Sequence, residues 1–525
     1  MTTEVLPERQ VNAVISYDPA TGEEIGRAPI WTAEEVSQAV ESARIAQRSW
    51  SKLSFDQRKR IMLRLRELLL AETDAVATLI SRETGKPIAE AIAMEVVPTL
   101  DAIHYFAQNT KRLLRPQKID IGQYGLMGRS SRVVYRPYGV VGIISPWNFP
   151  LATPLQETVM ALMAGNAVVL KPSELTPLIA LKIGELCERA GLPQNLLKVV
   201  TGNGATGAAL IEAPVDKIMF TGSVATGKRV AAAAAEHLTP VVLELGGKDP
   251  MIVFADADLE NAARAAVWGA FANAGQACAS VERCYVEEEV AHKFIDLVTA
   301  QAQQLQQGAD GAFSDIGAIS NQNQLNLIEN HVKDALQKGA RLVVGGNRPP
   351  ELKGLFYEPT ILTNVTHEMS IMRDETFGPV LPIMSFKGEG EAVGLANDSV
   401  FGLTASVWTR DITRGRRIAE QIEAGTVMVN EVLYTHGIAQ TPWGGMKQSG
   451  YGRTHGRAGL LELVIPQHIH VNRIWFLPDL WWFRYDEPAS RLFRALAKHF
   501  TTGSIVRTSR LLPQMLRRML SLRRG

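Results

Sequence analysis

The sequence predicts an open α/β fold with more than one domain. A chain of 525 residues is longer than a single hydrophobic core usually serves. Short apolar runs that end at Gly, Pro or a polar residue alternate with segments of helical period, such as "NAVVLKPSE" followed by "PLIALKIGELCERAG". This alternation is typical of parallel sheets, because a helix must carry the chain back between neighbouring parallel strands.

The first part of the chain, residues 31–115, is predicted to be helical. The segment after Thr32 has a capping residue, Glu in its first turn and apolar spacings near 3.6. A second helical pattern stops at Gly85 and Pro87. From residue 132 the pattern changes to predicted strands, namely "RVVYRPYGVVGIISPWNFP", "NAVVLKPSE", "LLKVVTGNG", "KIMFTGS" and "PVVLELGGKDPMIVF", with helices such as "TGKRVAAAAAEHL" between them.

A second α/β series is predicted beyond a boundary near residues 245–250. Its helices are expected around 258–273, 289–307 and 322–338. Its later strands are expected in "SIMRDETFGPVLPIMSF" and "GTVMVN". A return to the first lobe, or an oligomerisation strand, is expected around 455–472.

Composition narrows the class of protein. The net charge of +1 gives no reason to expect nucleic-acid binding. The three cysteines, Cys187, Cys278 and Cys284, are too few for a disulfide framework and lack zinc-ligand spacing, so we expect a reducing compartment and no metal site. The N-terminus "MTTEVLPERQ" has no apolar segment, and no run of about 18 apolar residues occurs. We expect a cytoplasmic protein, at most attached to a membrane surface.

Cys278 is the first candidate for chemistry. It follows Gly275 and Gln276 in a turn of small residues after a predicted helix. A nucleophilic cysteine needs access and close backbone N–H groups, and Ala277 and Ala279 leave room for a substrate carbonyl. A buried structural cysteine is the alternative, and this segment alone does not choose between the two.

Glu244 and Asn148 follow predicted strands. Glu244 ends "PVVLELGG", where a carboxylate would face the crevice at the strand ends and could act as a general base. Asn148, in the rigid turn "PWNFP", has a side-chain amide that could stabilise an oxyanion. Alone, each residue is also compatible with an ordinary loop or turn.

Three glycine-rich or polar turns are candidates for cofactor binding. "TGNGATG" is a formal G-x-G-x-x-G, which is weak evidence by itself. "FTGSVATG" opens a helix, where Gly222 and Gly227 would let backbone N–H groups approach a pyrophosphate. "LKPSE" ends a strand with Lys171 and Glu174, which could hydrogen-bond the hydroxyls of a ribose.

The order and spacing of seven segments carry more weight than any one of them. These segments are "PWNFP", "KPSE", "FTGS", "LELGGKDP", "NAGQAC", "ETFGPV" and "PWGGMKQSGYGR". Together they resemble the aldehyde dehydrogenase superfamily over roughly residues 12–475. The resemblance implies a Rossmann-like cofactor domain, an α/β catalytic domain and a β-arm that builds dimers or tetramers.

The resemblance also implies a mechanism. Cys278 would add to the aldehyde carbonyl, and Asn148 with the Cys278 backbone N–H would bind the oxyanion of the thiohemiacetal. Hydride loss to the nicotinamide would leave a thioester, and Glu244 would activate the water that hydrolyses it. An acylating relative that uses coenzyme A, and a non-catalytic binding member of the fold, are the alternatives. The intact set of three residues disfavours both.

The resemblance assigns the cofactor site by matching positions. Lys171 and Glu174 would hold the adenosine ribose, Glu375 the nicotinamide ribose, and Phe377 would lie beside the ring. The helix that starts at Gly222 is favoured over the formal fingerprint. The full predicted set is Ser145, Trp147, Lys171, Ser173, Glu174, Gly204, Gly222, Ser223, Gly227, Leu245, Gly246, Glu375 and Phe377. NAD is predicted because Glu174 would repel the 2′-phosphate of NADP, although rotation of Lys171 leaves NADP possible.

Domain limits follow from the same resemblance. The cofactor domain is predicted at 1–244, with 120–138 contributing to the oligomerisation arm. The catalytic domain is predicted at 245–450 and a returning oligomerisation segment at 451–475. Residues 476–525 are predicted to form a basic amphipathic tail.

The aldehyde is less constrained. The helix after "PWNFP" contains no Lys or Arg to pair a second carboxylate, and Arg283 matches a structural position. An apolar or long-chain aldehyde is therefore predicted. Succinate semialdehyde or another small aldehyde is the alternative.

The C-terminal tail differs from the rest in charge. Residues 473–525 carry a surplus of eight positive charges, so the first 472 residues carry −7. The tail begins with an aromatic cluster, Trp475, Phe476, Trp481, Trp482, Phe483 and Tyr485. Leu492, Phe493, Leu496 and Phe500 then share one helical face. We expect this segment to bind a membrane surface, or alternatively to cover a partner subunit.

Overall fold

The computed structural model describes residues 12–308 and 314–524. The chain forms two compact units. The first comprises Met1–Leu113 and Pro137–Leu463, and the second comprises Leu114–Arg136 and Val464–Gly525.

The strands are β1 (Ala13–Tyr17), β2 (Glu24–Pro29), β3 (Gln117–Ile119), β4 (Arg129–Pro137), β5 (Val140–Ile144), β6 (Ala167–Lys171), β7 (Leu197–Val199), β8 (Lys217–Thr221), β9 (Val241–Glu244), β10 (Asp249–Val253), β11 (Val281–Glu287), β12 (Arg341–Val344), β13 (Thr360–Thr363), β14 (Val380–Phe386), β15 (Thr404–Trp408), β16 (Thr426–Val429), β17 (Gly450–Tyr451) and β18 (Val464–Asn472).

The α-helices are α1 (Ala33–Trp50), α2 (Phe55–Ala71), α3 (Thr73–Thr84), α4 (Ile88–Ala91), α5 (Val97–Leu113), α6 (Ala152–Ala164), α7 (Pro177–Arg189), α8 (Gly204–Glu212), α9 (Val224–Glu236), α10 (Leu259–Phe271), α11 (Ala291–Ala302), α12 (Gln322–Gln337), α13 (Ser370–Arg373), α14 (Gly388–Asn397), α15 (Ile412–Ala419), α16 (Gly456–Glu462), α17 (Glu487–Phe500), α18 (Ile505–Ser509) and α19 (Leu512–Arg524). One π-helical turn, Ile92–Val96, joins α4 to α5.

The predicted N-terminal helices are present, and their ends have local causes. Thr32 and Glu35 form a reciprocal capping box at the start of α1. Gly85, with a left-handed φ of 82°, ends α3 where the sequence pattern stopped.

The cofactor-type sheet has six strands in the order β17-β9-β8-β5-β6-β7. All neighbours are parallel except β17, which pairs antiparallel with β9. The predicted strand "RVVYRPYGVVGIISPWNFP" is divided, because β5 lies in this sheet while β4 pairs with β3 elsewhere. The carboxyl ends of β5, β8 and β9 lie side by side, which is where open parallel sheets bind ligands.

The second sheet of the first unit has seven strands in the order β12-β13-β14-β11-β10-β15-β16. Its buried side chains form a core with α10, α11 and α12. The predicted strand "SIMRDETFGPVLPIMSF" is wrong in its first half. Asp334 accepts a hydrogen bond from the Ser370 backbone N–H (2.9 Å) and starts the short helix α13. Phe377 then has a left-handed φ of 51°, so the strand begins only at Val380.

The second unit contains a three-stranded sheet, in the order β18-β4-β3, and the tail helices. The predicted apolar face of α17 exists, but it is not free. Leu492 and Leu496 are buried against Met515 and Met519 of α19, because the two helices together enclose a small core. This corrects the expectation that the face of α17 lies on a membrane surface, or alternatively on a partner subunit. The aromatic cluster that precedes α17 remains exposed.

No helix in residues 12–308 and 314–524 is long and apolar enough to cross a membrane. The predicted domain limits stay predictions.

Candidate active site

A cavity of 720 Å³ opens within the first unit at the carboxyl ends of β5, β8 and β9. It is lined by ten of the predicted site residues, Trp147, Asn148, Gly222, Ser223, Glu244, Leu245, Gly246, Cys278, Glu375 and Phe377. Six others do not line it, namely Ser145, Lys171, Ser173, Glu174, Gly204 and Gly227. The cavity therefore unites the three predicted catalytic residues with the predicted nicotinamide side of the cofactor site.

The loop that carries Cys278 has an unusual backbone. Asn273, Ala274 and Gly275 all have left-handed φ values, of 54°, 53° and 72°. Such angles cost about 1–3 kcal/mol at non-glycine residues and persist where the surroundings impose them. A side chain at Gly275 would collide with the Gly378 carbonyl, so this position requires glycine. The loop leaves Cys278 half-buried at the cavity wall.

A hydrogen-bond network joins this loop to Asn148. The Asn148 side-chain amide donates to the Gln276 carbonyl (3.0 Å). The Asn273 side-chain amide donates to the Asn148 carbonyl (3.1 Å) and to the Gln276 carbonyl (3.0 Å). Asn148 and the residues before Cys278 are therefore held in one fixed arrangement.

A buried ion pair supports the other side of Asn148. Lys86 donates to Glu95 (2.6 Å) and to the Asn148 carbonyl (2.7 Å), and both charged side chains are fully buried. The second oxygen of Glu95 accepts the backbone N–H groups of Leu151 (2.8 Å) and Ala152 (3.1 Å) at the start of α6. Removing one partner of such a pair leaves a buried unpaired charge, which costs about 3–5 kcal/mol.

The surroundings of Cys278 favour the neutral thiol. Burial raises its pKa, and the carboxylates of Asp249, Glu244 and Glu375 raise it further. Because the thiolate is the reactive form, the residue needs a base to become a nucleophile.

Glu244 is buried at the end of β9 and lines the same cavity. Neither of its carboxyl oxygens has a hydrogen-bond partner among the described residues. Burial and the nearby Glu157 carboxylate raise its pKa well above the usual value. The positive charge of Arg453 opposes this rise in pKa, and so does the Trp443 indole. The indole lies close to the Glu244 carboxylate but outside hydrogen-bonding geometry. A carboxylate with such a pKa is a strong base for its type.

The nicotinamide side of the predicted cofactor site is built around Glu375 and Phe377. Glu375 accepts the Gly247 backbone N–H (3.0 Å), and a side chain at Gly246 would collide with its carboxylate. The Phe377 ring meets the Trp147 ring edge to face, with centroids 5.6 Å apart.

The position of Phe377 is fixed from behind by Glu282. This carboxylate accepts the backbone N–H groups of Thr376 and Phe377, both at 2.8 Å, and is paired with Lys248 (2.6 Å).

The predicted pyrophosphate side lies at the start of α9. Ser223 caps this helix, and its hydroxyl accepts the Thr226 backbone N–H. Gly227 lies one turn on, where a side chain would come within 2.5 Å of Leu245. The buried hydroxyls of Ser145 and Thr221 have no partner in the part of the chain that the structure describes. These hydroxyls are free to hydrogen-bond a ligand at the strand ends.

The predicted ribose-binding residues lie at the end of β6. Lys171 is buried and forms an ion pair with the exposed Glu174 (3.4 Å). Ser173 is buried between them and accepts the Leu175 backbone N–H (3.2 Å). Gly204 starts α8 after the cap Asn203, outside the cavity.

Several residues of the site were not predicted from the sequence. Lys86 and Asn273 hold the Asn148 carbonyl, Glu95 is paired with Lys86, and Glu157 of α6 lines the cavity. A charged residue in an otherwise apolar helix, such as Glu157 in "PLQETVMALMA", was an available signal for the last of these.

Comparison with known proteins bears on most of the chain, up to about residue 469. The sequence model of the aldehyde dehydrogenase family matches residues 6–469. The chain is 38% identical to a 4,4'-diapolycopene aldehyde oxidase of a Methylomonas species, over 92% of this chain and 90% of that protein.

Solved structures agree. The NAD-dependent aldehyde dehydrogenase of Sinorhizobium meliloti matches with a TM-score of 0.84 and 38% identity, over 88% of this chain and 91% of that one. The succinate-semialdehyde dehydrogenase of Burkholderia pseudomallei matches with the same TM-score and identity, over 88% and 94%. The predicted fold class and resemblance are confirmed, and the chain belongs to the aldehyde dehydrogenase family.

Proposed function

We propose that the chain oxidises an apolar aldehyde to the carboxylic acid through covalent chemistry on Cys278. The single observation that supports this proposal is the cavity. It is lined by Cys278, Glu244 and Asn148 together, and the rest of its lining is mainly apolar. An acylating or non-catalytic role would not require a buried, unpaired base beside the thiol.

Cys278 and Asn148 perform the first step. The thiol loses its proton to Glu244, and its sulfur adds to the aldehyde carbon to give a thiohemiacetal. Asn148 uses one amide hydrogen for the Gln276 carbonyl and has a second to donate to the oxyanion. Because the network around Gln276 is already formed, no reorganisation is needed when the charge develops.

Glu244 performs the second step. Glu244 first releases the thiol proton to solvent. After the acyl group is left on Cys278 as a thioester, Glu244 takes a proton from water while the oxygen adds to the acyl carbon. Collapse of this adduct expels the sulfur and releases the acid. The raised pKa of Glu244 suits it to this role, because general bases work best when their pKa is near the operating pH.

The site fits a nicotinamide dinucleotide. Ser145 and Thr221 would meet its polar atoms, Ser223 and the start of α9 its pyrophosphate, and Glu375 a ribose. When bound, the nicotinamide supplies the acceptor for the substrate hydride. Glu174 supports NAD over NADP, because its carboxylate is exposed beside Lys171 and would repel a 2′-phosphate.

The cavity lining supports an apolar substrate over succinate semialdehyde. None of the described residues that line it is Lys or Arg, whereas Asp101 and Glu157 are acidic. Arg283 is the basic residue nearest to Cys278 in the sequence. Its guanidinium donates to the backbone carbonyls of Lys248 and Ala396 and does not line the cavity. A second carboxylate on the substrate would therefore enter without a cationic partner. The relatives named above differ in the substrates that their names state, so the lining is the main guide.

We expect kcat/KM for hexanal to exceed that for succinate semialdehyde by about 100-fold, because an unpaired carboxylate loses several kcal/mol on burial. The measurement is NADH or NADPH absorbance with hexanal, benzaldehyde, a long-chain aldehyde and succinate semialdehyde. Asp101→Asn should improve only the anionic substrate. A preference for succinate semialdehyde would contradict the proposed substrate class, and acceleration by coenzyme A would indicate acyl transfer instead of hydrolysis.

We also propose a homo-oligomer, either a dimer or a tetramer. The support is the three-stranded sheet of the second unit, in which β3 and β18 are both edge strands. All three residues of β3 are exposed, as are most of those in β18. Exposed strand edges readily pair with another chain.

The exposed aromatic cluster supports attachment to an anionic lipid surface. Trp475 and Phe483 are 80% and 79% exposed. Arg518 holds the backbone of this segment through the carbonyls of Leu480, Trp482 and Arg484. The backbone that carries these aromatic rings is therefore held in place by Arg518. The exposed basic residues of the tail are Arg484, Arg491, Arg494, Lys498, Arg507, Arg510, Arg517 and Arg523. Exposed aromatic rings with a positive surplus suit anionic headgroups.

We expect the full chain to sediment with phosphatidylserine-containing vesicles and not with pure phosphatidylcholine vesicles. Replacing Trp475, Trp482 and Phe483 together by serine should abolish sedimentation while leaving the buried tail core intact. Tyr17→Ser, at an exposed aromatic of the first unit, is the matched control. If the full chain stays in the supernatant, lipid attachment is wrong. If the triple variant instead lowers the molar mass in light scattering, the cluster covers a partner subunit.

A further inference from the structure

Glu157 is a buried carboxyl group in the cavity to which the mechanism above gives no role. It lies on α6, in which every residue from Pro154 to Ala164 is buried, and is itself 4% exposed. Its Oε2 atom has no hydrogen-bond partner within residues 12–308 and 314–524. A buried carboxylate without a partner is costly, so its presence in an apolar helix needs an explanation.

Glu157 and Glu244 line the same cavity from different elements, α6 and the end of β9. Both oxygens of Glu244 also lack partners among the residues that the structure describes. Burial raises the pKa of Glu157 to about 8, and the Glu157 carboxylate raises the pKa of Glu244. Two carboxyl groups that repel one another in a water-poor space do not ionise independently, and one proton is retained by the pair.

The other charged groups around the pair do not remove this coupling. His436 and His455 line the cavity but are neutral, because burial lowers the pKa of His436 to about 4 and that of His455 well below its usual value. Arg453 is the cation that acts on Glu244, and its guanidinium also donates to the Gly445 and Gly452 carbonyls.

Other ionisable groups lie on elements that pack against α6 or line the cavity. They include Arg58 on α2, which donates to the Met163 carbonyl, Glu95 on the π-helical turn, which is paired with Lys86, Asp101 on α5, Lys171 on β6, which is paired with Glu174, Glu462 on α16, which is paired with Lys217, the neutral thiol of Cys278, and Glu375.

We propose that Glu157 and Glu244 form a coupled carboxyl pair that holds one proton and one negative charge in the resting enzyme and becomes the base once that proton has left to solvent. With the proton gone, the Glu157 carboxylate is a positioning residue that keeps Glu244 basic by repulsion. When thiol or water is deprotonated, Glu244 accepts one proton, and the pair returns to one proton and one negative charge. This proton leaves to solvent after each of the two deprotonations. This inference rests on the proposed role of Glu244 as general base.

The test is the pH profile of kcat/KM for hexanal. Activity that needs ionised Glu244 rises with pH through the pKa of that group. Glu157→Gln removes the neighbouring negative charge, so the acidic limb should move to lower pH by about one unit or more, which corresponds to about 1.4 kcal/mol of lost repulsion. Because the base is then weaker, kcat on the plateau should fall severalfold. Glu157→Asp keeps the charge and should keep the limb of the parent protein.

Gln156→Met is the matched control. Gln156 is equally buried on the same helix but does not line the cavity, so its replacement perturbs packing without changing charge at the site. Its profile should match that of the parent protein. Glu157→Met provides a second neutral variant if the glutamine variant does not fold.

If Glu157→Gln or Glu157→Met folds and the acidic limb of its pH profile does not move, the proposed carboxyl pair is wrong. A limb that moves equally in Gln156→Met also overturns it, because packing alone would then explain the shift. Failure of the underlying mechanism is distinguishable, because Glu244→Gln would then hydrolyse the acyl-enzyme at the rate of the parent protein, whatever the behaviour of Glu157.

Discussion

Cys278→Ala is expected to lower kcat for aldehyde oxidation by at least about 10⁴-fold. Without the sulfur no covalent intermediate forms, and the remaining groups only bind and polarise the aldehyde. Cys278 is the only one of the three cysteines that lines the cavity. The measurement is NADH formation under saturating aldehyde, together with mass spectrometry of the protein after mixing with substrate. An acyl adduct should be trapped on the parent protein and be absent from the variant.

Cys284→Ala is the matched control for this substitution. Cys284 lies on β11, is fully buried in the core and is not part of the cavity, so its loss should affect stability more than turnover. Removing one buried sulfur costs about 1–2 kcal/mol of folding free energy at most. Turnover that survives Cys278→Ala within tenfold would overturn the covalent mechanism.

Glu244→Gln is expected to separate the two halves of the reaction. Hydride transfer should still occur once per site as a burst of NADH, after which the thioester accumulates because no base activates water. Steady-state kcat should fall by about 10²–10⁴-fold. Burst size and steady rate are read from one stopped-flow trace.

Glu83→Gln is the matched control for Glu244→Gln. Glu83 is also buried with a raised pKa, of about 7, but it accepts the backbone N–H groups of Leu178 and Ile179 outside the cavity. The variant should keep the steady rate of the parent protein. A Glu244→Gln variant with no burst, but with a linear rate like that of the parent, would show that another group is the base.

Much of the fold could be predicted because its causes are local. The capping box at Thr32, the stop at Gly85 and the short apolar strands depend on neighbouring residues only. The segment before Val380 was mispredicted because its helix depends on Asp334, which is distant in sequence. The fate of α17 was mispredicted for a similar reason. An amphipathic face shows that something covers it, but not that α19 does.

The residues of the site also divide into those that the sequence predicts and those that it does not. Cys278, Glu244 and Asn148 stand in recognisable segments, so they could be named from sequence. Lys86 and Glu95 act on Asn148 only through a buried contact formed by folding. Glu157 was not identified, because its importance comes from lining the same cavity as Glu244, and no sequence pattern describes that cavity.

The pairing of β17 with β9 has a consequence for the synthesis of the chain. Gly450 and Tyr451 hydrogen-bond to the strand that ends at Glu244, about 200 residues earlier. At roughly 5–20 residues per second, a ribosome makes that stretch in about 10–40 s. During this interval the edge of β9 is open and prone to pairing with other nascent chains. Cys278 is also translated well before the strand that covers its base. A chain that stalls before residue 450 therefore carries the Cys278 thiol without the strand that completes the site.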